Sequence, residues 1–320
     1  MLIKKIACIG IMVADVIVEP VSQYPEKGIL LPVNSITMHN GGNAMTAAIN
    51  LRKLGVESSL IGRVGDDMFG DYLKGCLKKA GVKIDGIKSD NSAQTSASVL
   101  MIDERTGERS FFHCEGSNAI FSIDDIDFDI VADNDVIFVT GSFLLKTFDG
   151  KQTMEFFKKC KEMGKTTALD VCWDSSGKWG ETLDQVMPYI DLFLPSIDEA
   201  RMLTDKETPE EMAEVFFEKG VKTVVIKCGS NGCYVRPCKD DAGEMIPVFK
   251  VENVVDTTGA GDSFCSGFLA SYARGEEILN CAKFGNATGA HCCMEKGATS
   301  GIKTYDETVD FIKKMEDAKC

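Results

Sequence analysis

No window of the chain is long and apolar enough to span a bilayer, and no internal repeat or low-complexity linker interrupts it. Its 320 residues suit one large α/β domain or two small ones, and without a linker one compact domain over 1–320 is favoured. Positive charge is in deficit. Lys and Arg number 35 against 49 Asp and Glu, a net charge of −14 that argues against nucleic acid as a partner. Histidine is scarce, and His39, His113 and His291 lie too far apart for catalytic spacing, so each is read as structural. A cleavable leader is also missing: Lys4 and Lys5 precede an apolar run at 6–14, but Asp15 interrupts it and no small-x-small site follows. A buried first strand and a cytoplasmic location are therefore expected, which leaves the Asn286-Ala287-Thr288 sequon without meaning. Cysteine is plentiful at thirteen, yet the number is odd and the spacing irregular. Cys228, Cys233 and Cys238 recur at intervals unsuited to zinc pairs, and Cys292 with Cys293 sits in an Ala/Gly-rich helical run. Free thiols and no cysteine metal site are expected.

Short apolar runs alternate with helix-period segments. Strands are predicted at 5–11, 58–64, 136–140, 167–171, 192–194 and 223–227, with helices at 41–54, 70–80, 151–163 and 209–219. That rhythm implies a mainly parallel sheet with helices on both faces. Two stretches, 13–38 and 97–112, break it as extended or hairpin segments, the second turning at Glu104-Arg105-Thr106-Gly107. Gly164-Lys165-Thr166 is no Walker A loop, because Lys159 holds the place of its first glycine. A dinucleotide fingerprint fails as well, with Phe264 where a third glycine belongs.

The densest chemistry lies in Asp256-Thr257-Thr258-Gly259-Ala260-Gly261-Asp262-Ser263-Phe264. The β-branched run at 251–255 predicts a strand before it, and Phe264, Phe268 and Tyr272 predict a helix after it that Gly275 ends. Gly259 and Gly261 permit close backbone approach, leaving the amides of residues 259–262 at the positive end of the helix dipole. Asp262 is placed to accept a hydroxyl proton while those amides hold charge on a transferred phosphoryl group, the chemistry of an alcohol kinase. A helix N-terminus with Asp262 as a capping carboxylate is the plainer alternative.

The longer string Asp-Thr-x-Gly-Ala-Gly-Asp-x-Phe resembles the C-terminal signature of the ribokinase-like (PfkB) family of carbohydrate kinases, and the resemblance runs from Ile6 to about Gly301. It implies a three-layer α/β/α sandwich with a mainly parallel central sheet and a small β-sheet lid built from the excursions at 13–38 and 97–112. It also implies ATP with Mg2+, a small sugar or sugar derivative as acceptor, Asp262 as general base, and Gly259, Ala260 and Gly261 as anion hole. Gly41-Gly42-Asn43 matches the family's first signature, where paired glycines admit the substrate, although a glycine turn with Asn43 as N-cap explains it locally as well. Thr46 stands where most relatives carry Asn. Asp15 follows the first strand where relatives grip two hydroxyls, with strand-end solvation as its alternative. Asn118 is either a substrate ligand or a turn residue, and Ser142 stands where ribokinases place a Glu, which argues against ribose. Glu199 matches an Asn-x-x-Glu element that orients the Mg2+ water network, with Ser196 in place of the Asn. Asp170 is a phosphate-side carboxylate or a strand cap. Lys227, Gly229, Gly232 and Asn286 are assigned to the nucleotide, and Asp256 with Gly297 to a monovalent cation such as K+. A nucleoside kinase, with Tyr24 or Phe111 as base platform, stays open, as does a homodimer through the lid. A non-catalytic sugar sensor is the rival from another class, and an intact Asp262 counts against it.

Overall fold

A computed structural model describes residues 2–318. Its strands in chain order are β1 (Ile6–Gly10), β2 (Val13–Val21), β3 (Ser35–Gly41), β4 (Ser58–Gly65), β5 (Lys83–Asp90), β6 (Ala97–Asp103), β7 (Arg109–Cys114), β8 (Val136–Ser142), β9 (Thr166–Val171), β10 (Leu192–Phe193), β11 (Thr223–Lys227), β12 (Cys233–Arg236) and β13 (Glu244–Ile246). Nine form one sheet in the order β13-β12-β11-β10-β9-β8-β1-β4-β5. It is parallel from β5 through β11, and only β12 and β13 run antiparallel.

Strand β1 shows why the protein has three layers. All of its residues are buried, as expected for a strand covered on both faces. Successive side chains point opposite ways, so Ile6 and Cys8 join a core with Ala47, Leu51 and Phe268, whereas Ala7 and Ile9 join another with Phe156, Phe157 and Phe216. Helix Asn43–Lys53 packs through Ala44, Ala47, Ala48 and Leu51, and places Arg52 and Lys53 in its last turn, where they oppose the helix dipole. Helix Pro209–Glu218 starts where Thr208 and Glu211 form a capping box ahead of an N-terminal proline. Chain order reverses at β1, with β4 on one side and β8 on the other. Such a reversal opens a crevice at the carboxyl ends of the strands.

Beyond β1 the chain leaves the large sheet to build a second one, ordered β3-β2-β6-β7. One register row on this lid carries His39, Asp15, Ser98 and His113. Ile36, Met38, Val99 and Phe112 lie on the opposite face and are exposed. Two ion pairs tie the lid to the body, Arg109 with Asp256 at 2.8 Å and Glu19 with Lys296 at 2.7 Å.

The strand expected at 251–255 is not formed. Its β-branched residues find no partner strand. Val251 packs instead beside Phe249 and Ala290, Val255 donates its amide to Cys293 O at 2.8 Å, and Val254 and Val255 stay exposed. The signature turn is thus entered from an irregular segment. All the described cysteines are free, and among the described residues no helix is long and apolar enough to cross a membrane.

Candidate active site

The signature turn begins with Gly259 at φ 75°, and a Cβ there would overlap Ala298, so glycine is required. Helix Ala260–Ala273 follows, held to the core by Phe264 and Phe268. Its first amides lack intrahelical acceptors. One of the expected anion-hole donors is already engaged, since Ala260 N reaches Thr257 O at 3.2 Å. The amides of Gly259, Gly261 and Asp262 are left for an anion.

Asp262 lies in the first turn of this helix, where its Oδ1 accepts from Asn43 Nδ2 at 2.8 Å. The two N-terminal and C-terminal signatures therefore meet through one hydrogen bond. Asn43 is the first residue of its helix rather than the cap, and Gly42 precedes it at φ 92° without any side-chain capping bond. Burial pushes the Asp262 carboxyl above the usual carboxylate range, opposed by the Lys227 ammonium and by Asn43. Lys227 comes from the end of β11 and donates to Asp170 Oδ1, at the end of β9, over 2.6 Å. Lysine and carboxylate side chains are 13% and 3% exposed. Burial alone would lower the lysine pKa, but the charge and hydrogen bond of Asp170, together with Cys265 and Glu199, outweigh it and raise Lys227 well above its usual range. The Lys227 ammonium also lies 3.7 Å from where a Cβ of residue 261 would stand, so it backs the turn. Glu199 closes a capping box with Ser196, whose amide donates to Glu199 Oε2 at 2.7 Å. Burial raises its carboxyl, with Lys227 opposing.

Two adjoining cavities meet here. One of about 600 Å³ is lined by Asn43, Asp170, Trp173, Glu199 and Asp262. The other, of about 500 Å³, is walled by Val251, Val254, Phe264, Asn286 and Ala290. Lys227, Gly229, Ala260 and Gly261 line both. Both volumes fall within the range of small-ligand sites.

The remaining predicted residues divide. Asp15 stands on the lid against Gly41, where any Cβ would overlap its carboxylate. Burial raises the Asp15 carboxyl, eased by a hydrogen bond from Ser98 and by His113 and His39. His39 and His113, far apart in sequence, are brought beside Asp15 by strand register. Gly232 lines the apolar cavity, and Asn286 donates to Ile246 O at 3.0 Å and Pro247 O at 3.2 Å, fixing that cavity's wall. Three residues assigned to substrate are engaged or buried within the protein. Asn118 gives both ends of its amide to the Met12 backbone, at 2.8 and 3.3 Å. Ser142 donates to Asp149 Oδ1 at 2.7 Å. Thr46 is buried within the packed face of its helix.

Asp256 and Gly297, assigned to a cation, bond to each other and to the lid. Asp256 Oδ1 accepts from Arg109 Nη2 at 2.8 Å and from Thr258 N at 2.9 Å, while Oδ2 accepts from Gly297 N at 3.1 Å. Toward Asp256, Gly297 thus presents its amide. Burial works against ionisation of Asp256, but the donors from Thr258, Arg109 and Gly297 hold its carboxyl well below the usual range. Sequence reading missed Arg109 altogether, together with the Asp170–Lys227 pairing.

A family model described as pfkB family carbohydrate kinase matches residues 3–305. A protein of Archaeoglobus fulgidus named as an uncharacterized sugar kinase is 31% identical over 255 residues, covering 79% of this chain and 98% of its own. Fructokinase-2 of Zea mays is 29% identical over 290 residues, covering 86% and 85%. The solved structure of Arabidopsis thaliana ribokinase, complexed with ribose and ATP, shares the fold with a TM-score of 0.82 at 24% identity, over 98% of this chain and 99% of that one. With the family match spanning nearly the whole chain and the sandwich and lid in place, the protein belongs to the pfkB family of carbohydrate kinases.

Proposed function

We propose that the protein transfers the γ-phosphoryl group of ATP to a hydroxyl of a small sugar or sugar derivative, with the whole chain acting as one kinase domain and 13–38 and 97–112 as its lid segments. The observation that carries this reading is the Asn43–Asp262 hydrogen bond in the wall of the polar cavity, next in sequence to the Ala260 and Gly261 that line both cavities. It sets the proposed base where an acceptor in the polar cavity faces phosphates in the shared wall. The acceptor proton passes to Asp262 as its oxygen bonds to phosphorus, and the bond from phosphorus to the β-γ bridging oxygen breaks with ADP as leaving group. The amides of Gly259, Gly261 and Asp262, with Lys227 behind them, stabilise the charge in transit. Among the described residues no cluster of three or more His, Cys, Asp or Glu could hold a metal. Mg2+ would be carried by the phosphates, neutralising their charge, with Glu199 and Asp170 on the adjacent wall to orient its waters.

A nucleoside kinase is the second reading, supported by aromatic surface at the cleft. Trp173 is 55% exposed in the polar cavity and meets Trp179 edge-on with centroids 5.0 Å apart, and Phe111 shares the lid face of Arg109. A coupled ADP-release screen over hexoses, ketoses, deoxy sugar acids, pentoses and nucleosides decides between them. With the best acceptor, Asp15→Ala is expected to raise its KM by roughly 10- to 100-fold, the worth of a lost charge-assisted hydrogen bond, and to spare the KM for ATP. Equal losses for both ligands would make Asp15 a structural residue.

The exposed patch of Ile36, Met38, Val99 and Phe112 supports a homodimer that buries this face of the lid. Sedimentation equilibrium should show a dimer for the wild type and a monomer for the Ile36→Glu/Phe112→Glu double variant. A monomeric wild type would refute the dimer.

A further inference from the structure

We infer that Arg109 of the lid supplies the positive charge at Asp256, in place of a monovalent cation, so that closing the lid itself fixes the segment leading into the anion hole. Arg109 opens β7, and its guanidinium spans two groups, donating from Nη2 to Asp256 Oδ1 at 2.8 Å and from Nη1 to the Thr258 hydroxyl. Every further contact of that carboxylate is also a donor: Thr258 N at 2.9 Å, the Thr258 hydroxyl at 2.7 Å and Gly297 N at 3.1 Å. An alkali cation needs oxygen lone pairs, and here three donors crowd Oδ1 while a fourth takes one side of Oδ2. The pair is also better shielded than an ordinary surface ion pair, since the Asp256 side chain is only 9% exposed.

The position of this contact gives it a role. Asp256 and Thr258 directly precede Gly259, the first residue of the turn, and Ala298 packs beneath that glycine. Glu19 of β2 takes hold of the second segment through Lys296, at 2.7 Å. Two lid strands thus clamp the two loops from which the phosphate cradle is made. Arg109 lines neither cavity, so it is a positioning residue, and its effect on catalysis rests on the phosphoryl-transfer reading.

The experiment compares the full-length wild type with Arg109→Ala and Arg109→Lys in KCl and in tetramethylammonium chloride, each at about 0.1 M to keep screening equal. Thermal unfolding is followed without ligand, and MgADP affinity is measured by calorimetry. The wild type and Arg109→Lys should unfold at the same temperature and bind MgADP within about twofold in either salt, because a fixed charge already occupies the site. In Arg109→Ala the freed carboxylate should recruit K+, giving a K+-specific rise in unfolding temperature and at least a roughly fivefold gain in MgADP affinity. The inference is overturned if K+ stabilises the wild type and tightens its MgADP binding several-fold, or if Arg109→Ala is indifferent to K+ in both measurements. Should the wild type bind no MgADP at all, the kinase reading fails, and the unfolding comparison still decides the role of Arg109.

Discussion

Asp262→Asn is expected to lower kcat by about two to four powers of ten while nucleotide affinity stays within a few-fold of wild type. The amide keeps the shape of the carboxyl and an oxygen to accept the Asn43 hydrogen bond at 2.8 Å, so the two signatures stay joined. What it loses is the capacity to take the acceptor's proton. The buried carboxyl makes a second expectation available. Its pKa is raised by burial, and only the ionised form can act as base, so wild-type kcat should rise with pH along a limb lying above the usual carboxylate range. That limb should vanish from the residual activity of the variant. Initial rates against pH with saturating acceptor and ATP provide the measurement, and calorimetry provides the affinity. A variant within tenfold of wild type, or one retaining the limb, would remove Asp262 from the base role.

Lys227→Met should be the most destabilising single change in the site. The ammonium is almost buried and makes its 2.6 Å contact with a carboxylate more deeply buried still. Removing it strands the charge of Asp170, which for a buried pair costs about 3–5 kcal/mol. Lys227→Met/Asp170→Asn should recover most of that loss, since no unpaired charge remains and the two sites are directly coupled. Urea unfolding of wild type, both single variants and the double variant gives the cycle. Activity should not follow stability. The double variant still lacks the cation behind the Gly259–Gly261 turn, so its nucleotide affinity should stay depressed after its stability returns. A Lys227→Met protein within about 1 kcal/mol of wild type would show that the pair is solvated, and a double variant regaining nucleotide affinity would remove Lys227 from the phosphate site.

These two residues also show what could be read ahead of the structure. Asp262 was legible because its neighbours in sequence are its neighbours in space: glycines, helix start and carboxylate all fall within one turn. The alternation of apolar runs located β1, β4, β8, β9 and β11 for a similar reason, since the period of a strand is local. Pairing is not. Residues 251–255 have strand composition and no partner, and Asn118 and Ser142 have the chemistry of ligands but spend it on Met12 and Asp149. The row of His39, Asp15, Ser98 and His113 exists only through the register of four strands. Nor could sequence reveal that Arg109 reaches Asp256, because the lid's angle over the body is set by tertiary contacts.

The helix carrying Asp262 also covers helix Asn43–Lys53, with Asn50 donating to Ser263 at 3.1 Å and both helices contributing to one core. During synthesis the earlier helix emerges more than two hundred residues ahead of the later one, as does β1 ahead of its neighbour β8 by more than a hundred. A growing chain must therefore leave the side of helix Asn43–Lys53 that meets the later helix without its partner until the last third of translation, when contacts of such long sequence separation can close. Nascent or prematurely terminated chains would present that sticky surface to chaperones and proteases. Because Asp262, the proposed base, arrives on the very segment that covers it, a truncated product that exposes the surface would lack it.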